Sequence, residues 1–409
     1  MRARARLVCT CLTVVTVGVA GCGGKSSTGA NSGRTTLTIY SSMPLQGPAE
    51  AQSESVIKAQ KLALAEAGGR IGKFSIKGVY LDDSTAAANR AEPGQTSANA
   101  RRAAQDASTI AYLGEGNDGA SAVSIPLTNE AGILQVSPSD TPSGLTRRDG
   151  AAPGQPDSLY PSGERTFARV VPNDGVQAAA QVAYQLDEGC TKTFVLSNRG
   201  LFGRGLAAQF RSAAKSNSLE VVAASFPPGT KDFADVARRV RSSHADCMLF
   251  AGVTADEAVR AFAAIHQANP SAKLFGTSGV AESSFTEALP TSVQRVTYIT
   301  SPTLDPQLYP PEGQKFFTTY RDKYGKDPEP AAIFGYEAMK LTLLAIQNAG
   351  DKGNDRHAVI DALFKIKDHD SPLGTYSIDG NGDTTLSDYA ADRVENGKLV
   401  FEKVLNKDK

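Results

Sequence analysis

The residues of this 409-residue chain best suited to chemistry fall in two short runs of small polar groups. Gly114, Gly116, Asn117, Asp118 and Gly119 precede a helical pattern, and Ser137, Pro138, Ser139, Asp140 and Thr141 follow a strand-like segment at 132–136. Neither run holds a recognisable nucleophile and base. They offer main-chain N–H groups, hydroxyls and carboxylates, which suit noncovalent recognition of a small charged group at the carboxyl edge of a parallel sheet, ahead of a helix N-terminus. Catalytic alternatives are poorly supplied. There is no G-x-S-x-G elbow, and His244, His266, His357 and His369 have no zinc-ligand spacing. The chain is therefore expected not to be an enzyme and to use neither a metal nor another cofactor. Asp379-Gly-Asn381-Gly-Asp383 imitates the front of a calcium loop, but its sixth position is Thr384 and its twelfth Ala390, so a polar hairpin turn is expected.

The charge balance, 43 Lys plus Arg against 43 Asp plus Glu, includes no basic stripe and gives no reason to expect a nucleic-acid partner. The amino end is distinct. Arg2, Arg4 and Arg6 precede an apolar stretch at 7–20 that ends in Val19-Ala20-Gly21-Cys22. This resembles a bacterial lipoprotein signal and its lipobox. Residues 1–21 are then a signal peptide, Cys22 is the lipidated first residue, and the Gly/Ser-rich segment 22–36 is a flexible tether. The alternative is an ordinary secretory signal cut near Ala20. Either way the protein is exported, and the lipobox reading places it on the extracytoplasmic face of the cell membrane. Cys9 and Cys11 leave with the signal, so Cys190 and Cys247 remain as a possible disulfide in an oxidising compartment, with two separate buried thiols as the alternative.

Hydrophobic periodicity places strands and helices in alternation. Strands are expected at 37–41, 74–81, 109–113 and 132–136, with helices at 49–67 and 96–107 between them. The pattern restarts with a helix at 175–186 and strands at 193–197, 219–225 and 247–253. Segments 167–171 and 295–300 are expected to cross between domains, and three helices and a short strand pair complete the chain. The class is α/β, with two doubly wound lobes. In a sheet of order 2-1-3, Cys190 and Cys247 sit near the amino ends of neighbouring strands, which suits a bridge.

Eight stretches then carry a family resemblance: TIYSSMPLQGP, GRIGKFSIKGVYLDDS, YLGEGNDGASAVSIP, ILQVSPSDTPSGLT, SNRGLFGRGLA, MLFAGVTADEAV, LFGTSGVAE and PAAIFGYEAMKLTLLAI. Their order and spacing resemble the leucine/isoleucine/valine-binding type of periplasmic solute-binding protein, over nearly the whole mature chain. The resemblance implies a type I periplasmic binding fold, with residues 37–168 plus 301–385 in the first lobe and 169–300 plus 386–405 in the second, joined by a hinge. It implies a small-molecule ligand, an amino acid, amide or small carboxylate, held between the lobes, an ABC permease as partner, contact with the membrane through the lipid anchor only, and a monomer.

Carried over by position, the first-lobe ligand groups are Asn117, Asp118, Gly119, Ser139 and Thr141, and Phe202 keeps an aromatic wall on the second. Two positions depart from the pattern. The acid that would neutralise a ligand ammonium falls at Ser278, and a second aromatic position at Val253. Asp118 or Asp140 is therefore expected to supply the charge; otherwise the ligand is an amide, hydroxy acid or other small polar compound without an ammonium there. Plainer roles remain open, with Asp118 shaping a turn, Asp140 and Thr141 bracing a loop, and Phe202 packing on its own helix. A ligand-sensing or scaffold lipoprotein is the alternative function.

Overall fold

The computed structural model describes residues 33–116 and 119–406. The expected signal peptide, the lipidated Cys22 and the loop residues Asn117 and Asp118 lie outside the described residues.

The first sheet is centred on strands that are buried over most of their length, with Thr109–Leu113 and Leu134–Ser137 buried throughout, as parallel strands covered on both faces are. Its strands are β1 (Thr36–Met43), β2 (Arg70–Ile71), β3 (Phe74–Asp82), β6 (Thr109–Leu113), β7 (Leu134–Ser137) and β8 (Phe167–Arg169); β4 (Ser84–Thr85) and β5 (Arg90–Ala91) form a separate small hairpin. The order is β2-β3-β1-β6-β7-β8, parallel except at β2. Helix starts follow ordinary capping chemistry. The Glu92 carboxylate accepts from Gln95 N–H ahead of Pro93–Gln105, and Asp355 accepts from His357 and Ala358 N–H ahead of Arg356–Phe364. The helix Ala332–Asn348 returns late in the chain to pack beside Glu50–Glu66. A Cβ on Gly335 would lie 2.7 Å from Val56 Cγ1, so the close approach of these helices requires glycine there. Leu37, Ile39, Leu62, Ile333, Met339 and Val359 share the resulting core.

The second sheet holds β9 (Lys192–Asn198), β10 (Glu220–Phe226), β11 (Cys247–Ala251), β12 (Lys273–Gly276) and β13 (Thr297–Ser301). Two further hairpins follow in the chain, β14 (His369–Ser371) with β15 (Gly374–Tyr376), then β16 (Asp388–Glu395) with β17 (Lys398–Asn406). The order is β10-β9-β11-β12-β13-β16-β17. Its start is the 2-1-3 arrangement expected from the alternation. The far side differs from expectation. Segment 295–300, expected to cross between lobes, contains most of β13, which is buried throughout and pairs in parallel with β12 and antiparallel with β16. The terminal pair is longer than expected, 8 and 9 residues, and extends this sheet. β13 gains its second partner from residues about ninety positions later, and no local pattern announces such a pairing.

Cys190 and Cys247 are bridged. Their Cα atoms are 5.9 Å apart, and the bond joins the turn before β9 to the start of β11, its neighbour in the sheet. We expect the C190S/C247S double variant to lose about 2–4 kcal/mol of stability. Urea unfolding would measure this. Ligand affinity should be unchanged, because the bridge lies at the amino edge of the sheet, opposite the edge that faces the cleft.

Candidate functional site: a cleft between the two lobes

Loops leaving the carboxyl ends of both sheets meet across a cavity of about 60 Å³. Met43, Gly116 and Ser139 line it from the first lobe, and Val253, Thr254, Ser278 and Glu282 from the second. A smaller space of about 30 Å³ adjoins it, bounded by Ser139, Thr141, Ser278 and Ala331. A crevice at the carboxyl edges of parallel sheets is where α/β folds bind ligands.

The first-lobe wall is shaped by its own polar side chains. Ser137 Oγ donates to Glu115 O at 2.9 Å and accepts from Ser139 N–H and Asp140 N–H, which curls the loop after β7. Asp140 is fully buried. Its carboxylate accepts from Gly119 N–H at 3.0 Å and Ser121 N–H at 2.8 Å, so it ties the two loops together and holds the start of the helix Ser121–Glu130. The loop's carbonyls are fixed from behind by Arg169, whose Nη1 donates to Asp140 O at 3.1 Å and to Pro142 O at 2.9 Å.

Arg169 is itself fully buried and paired. Its Nε donates to Asp383 Oδ1 at 2.8 Å, and the same carboxylate accepts from Thr146 Oγ1, Arg147 Nε and Asn173 Nδ2. Burial alone would raise the Asp383 carboxyl. The Arg169 charge and the hydrogen bonds from Arg147, Arg169 and Thr146 outweigh it and leave the pKa below its ordinary value. Asp383 occupies the hairpin turn expected at 379–383, where Asp379 Oδ1 accepts from Asn381 and Asp383 N–H and Ile378 bridges to Thr384.

On the second lobe, Ser278 Oγ accepts from Gln177 Nε2 at 2.7 Å, and the turn at Thr254–Asp256 is held by Asp256 Oδ2 accepting from Val253 N–H at 3.1 Å. Glu282 is the acid in this wall. It is 5% exposed, and Gln52 Nε2 of the first lobe reaches its Oε2 at 3.4 Å. Removal from water raises its carboxyl to about 7, and the nearby Glu329 charge acts in the same direction. Its neighbour Ser283 donates through N–H and Oγ to Glu329, at 3.1 and 2.7 Å, on the helix-bearing return of the first lobe.

The sequence-derived residues thus fall in different places. Ser139, Val253 and Ser278 line the cavity, and Thr141 lines the adjoining space. Gly119 lies on an outer groove beside the cavity. Phe202 is 1% exposed within the second-lobe core and backs the cavity through Gly279, where an added Cβ would lie 2.9 Å from its ring. Gln52, Arg90 and Glu282 are cavity residues that the sequence reading missed. One signal was available for Glu282: it is the sole acid between Lys273 and Phe285, four residues past Ser278 in a run of small residues.

Among the described residues the one compact His/Cys/Asp/Glu group is Cys190, Asp246 and Cys247, and both of its cysteines are in the disulfide. No helix among the described residues is long and apolar enough to cross a membrane.

Comparison with known proteins agrees with this geometry. The sequence pattern describing periplasmic binding proteins matches residues 37–398. The chain is 26% identical to the Leu/Ile/Val-binding protein BraC3 of Rhizobium johnstonii over 372 residues, covering 89% of this chain and 93% of that one. Among solved structures, the leucine-binding protein LivK of Thermotoga maritima superposes with a TM-score of 0.80 at 23% identity, covering 91% of this chain and 99% of that one. An ABC-transporter solute-binding protein from R. palustris in complex with benzoate gives 0.75 at 17% identity, covering 91% and 96%.

Proposed function

The chain belongs to the periplasmic binding protein family, and from that premise we propose that it is a lipid-anchored extracytoplasmic receptor that captures a small ammonium-bearing solute, an amino acid or close relative, and delivers it to an ABC importer. The observation that carries the choice of ligand is Glu282. Solved relatives of this fold hold isoleucine in one case and benzoate in another. A benzoate brings no positive group to the buried Glu282 carboxyl and sets a second negative charge beside it whenever it ionises. An ammonium favours the ionised form instead. On the opposite wall Ser139 Oγ is buried with no hydrogen-bond partner among the described residues, which suits a polar group of the ligand, its carboxylate in this reading.

In this reading Asp140 serves the ligand indirectly, by joining the loops that carry Ser139 and Gly119, and Glu282 takes the charge role expected of an acid at Ser278. Closure follows from the ligand touching both walls at once, so that it binds the closed state better than the open one. Lipidation at Cys22 would keep the receptor at the membrane beside its permease.

Thermal unfolding of the protein with leucine, isoleucine, valine, benzoate or 4-hydroxybenzoate tests the ligand class. A binding amino acid at a hundred times its Kd should add about 2.7 kcal/mol of stability, with no shift from the benzoates. The reading fails if only the benzoates stabilise. A C22S variant that still fractionates with membranes would remove the lipid anchor from it.

A further inference from the structure

Arg90 stands on the hairpin β4–β5 of the first lobe, and Asp256 closes the turn after β11 in the second. Arg90 Nη1 donates to Asp256 Oδ1 at 2.8 Å across the cleft, with the aspartate side chain only 2% exposed. The other oxygen, Oδ2, is held within its own lobe by Val253 N–H and Asn198 Nδ2. The aspartate is therefore fixed before the lobes meet, and the arginine is the part that arrives.

Two spaces meet at this pair. On one side is the enclosed cavity of about 60 Å³, and on the other an open groove of about 440 Å³. Arg90 and Ala91 belong to the walls of both. Beyond the pair the groove is mostly apolar, with Pro93, Val123, Leu201 and Pro228 along it and Glu92, Thr96 and Asn198 as its polar members. Ser139 and Glu282 hold the polar groups of the ligand in the reading above, so the end closed by Arg90 receives the side chain.

We propose that the Arg90–Asp256 pair is a gate that limits ligand length, and that the apolar groove behind it is an extension subsite for longer aliphatic side chains. The role of the groove rests on the cavity being the solute site proposed above; the sealing of the cavity by the pair does not. A leucine-sized side chain stops at the gate. A longer one must part the guanidinium from a buried carboxylate, a penalty that falls on long ligands alone. Arg90 is thus a specificity residue that a short ligand reaches and only a long one displaces.

The test uses the full chain with Arg90→Ala and Arg90→Lys. Hydrogen exchange of the ligand-free protein reads the seal: R90A should speed exchange at 252–257 selectively, while β11 stays protected and R90K stays near wild type. Calorimetry with L-leucine and L-2-aminooctanoate reads the length limit: R90A should shift the preference toward the longer ligand by about tenfold or more. The gate is overturned if R90A changes neither quantity, or if exchange rises equally throughout both lobes. If the wild type binds no amino acid, the ligand reading above fails by itself, while the exchange result still decides whether the pair seals the cavity.

Discussion

Affinity for an ammonium-bearing ligand should fall by up to roughly a hundredfold between pH 7 and pH 5, and E282Q should abolish that dependence. The sign follows from the cavity. Burial in the cleft wall holds the Glu282 carboxyl at about 7, so it is protonated below that pH and ionised above it. A bound ammonium favours the ionised form and lowers the pKa. Binding below pH 7 must then expel a proton, costing about 1.4 kcal/mol per pH unit until the pKa of the bound state is reached.

The empty protein should behave in the opposite sense. A carboxyl raised from its ordinary value of 4.5 to about 7 penalises the folded state as pH climbs through that window, because the unfolded chain ionises first. At pH 8, E282Q should weaken binding by roughly tenfold to a hundredfold, the range for loss of a charged hydrogen bond. Calorimetry across the pH range, paired with urea unfolding of the empty protein, measures both trends. A flat affinity profile in the wild type, or one that persists in E282Q, would remove Glu282 from ligand binding.

The largest stability effect is expected at Asp383. D383A leaves the fully buried Arg169 without its carboxylate, and breaking a buried pair from one side costs about 3–5 kcal/mol. Because the Asp383 carboxyl is held below its ordinary value, its contribution is present at neutral pH and is lost only as the solution falls through the acid range beneath the usual aspartate pKa. Replacing both partners with apolar residues, R169M with D383L, should recover much of the stability, since the lone buried charge is gone. It should not recover ligand affinity, because Arg169 also holds the carbonyls of Asp140 and Pro142 behind the binding loop. Urea unfolding and calorimetry on the two variants separate these roles, and equal recovery of both quantities would reduce the cluster to a structural one.

Local pattern carried much of the fold. The apolar run of β6 and the caps at Glu92 and Asp355 are short-range features, and the 2-1-3 start of the second sheet follows from alternation. β13 was misread because its outer partner, β16, lies far along the chain. The candidate site divided in the same way. Ser139 follows a strand end and could be found from strand position, whereas Val253 and Ser278 came from the family resemblance; all three line the cavity. Arg90 could not be found so, because it reaches the cavity on a two-residue strand and meets a residue 166 positions away. Glu282 was missed because charge was sought at one aligned position, whereas the acid that lines the cavity stands four residues later, past the short helical turn Ser278–Val280.

The contact between Arg169 and Asp383 also dictates a schedule. The two residues are 214 positions apart, and at about 5–20 residues per second roughly 10–40 s of synthesis separate them. Throughout that interval the loop bearing Ser139 exists without its rear brace, and the closing of so long a loop is entropically disfavoured until many other contacts are in place. The loop bearing Ser139 therefore depends for its brace on a residue 214 positions past Arg169. A chain truncated before residue 383 should keep much of its secondary structure and still fail to retain a solute.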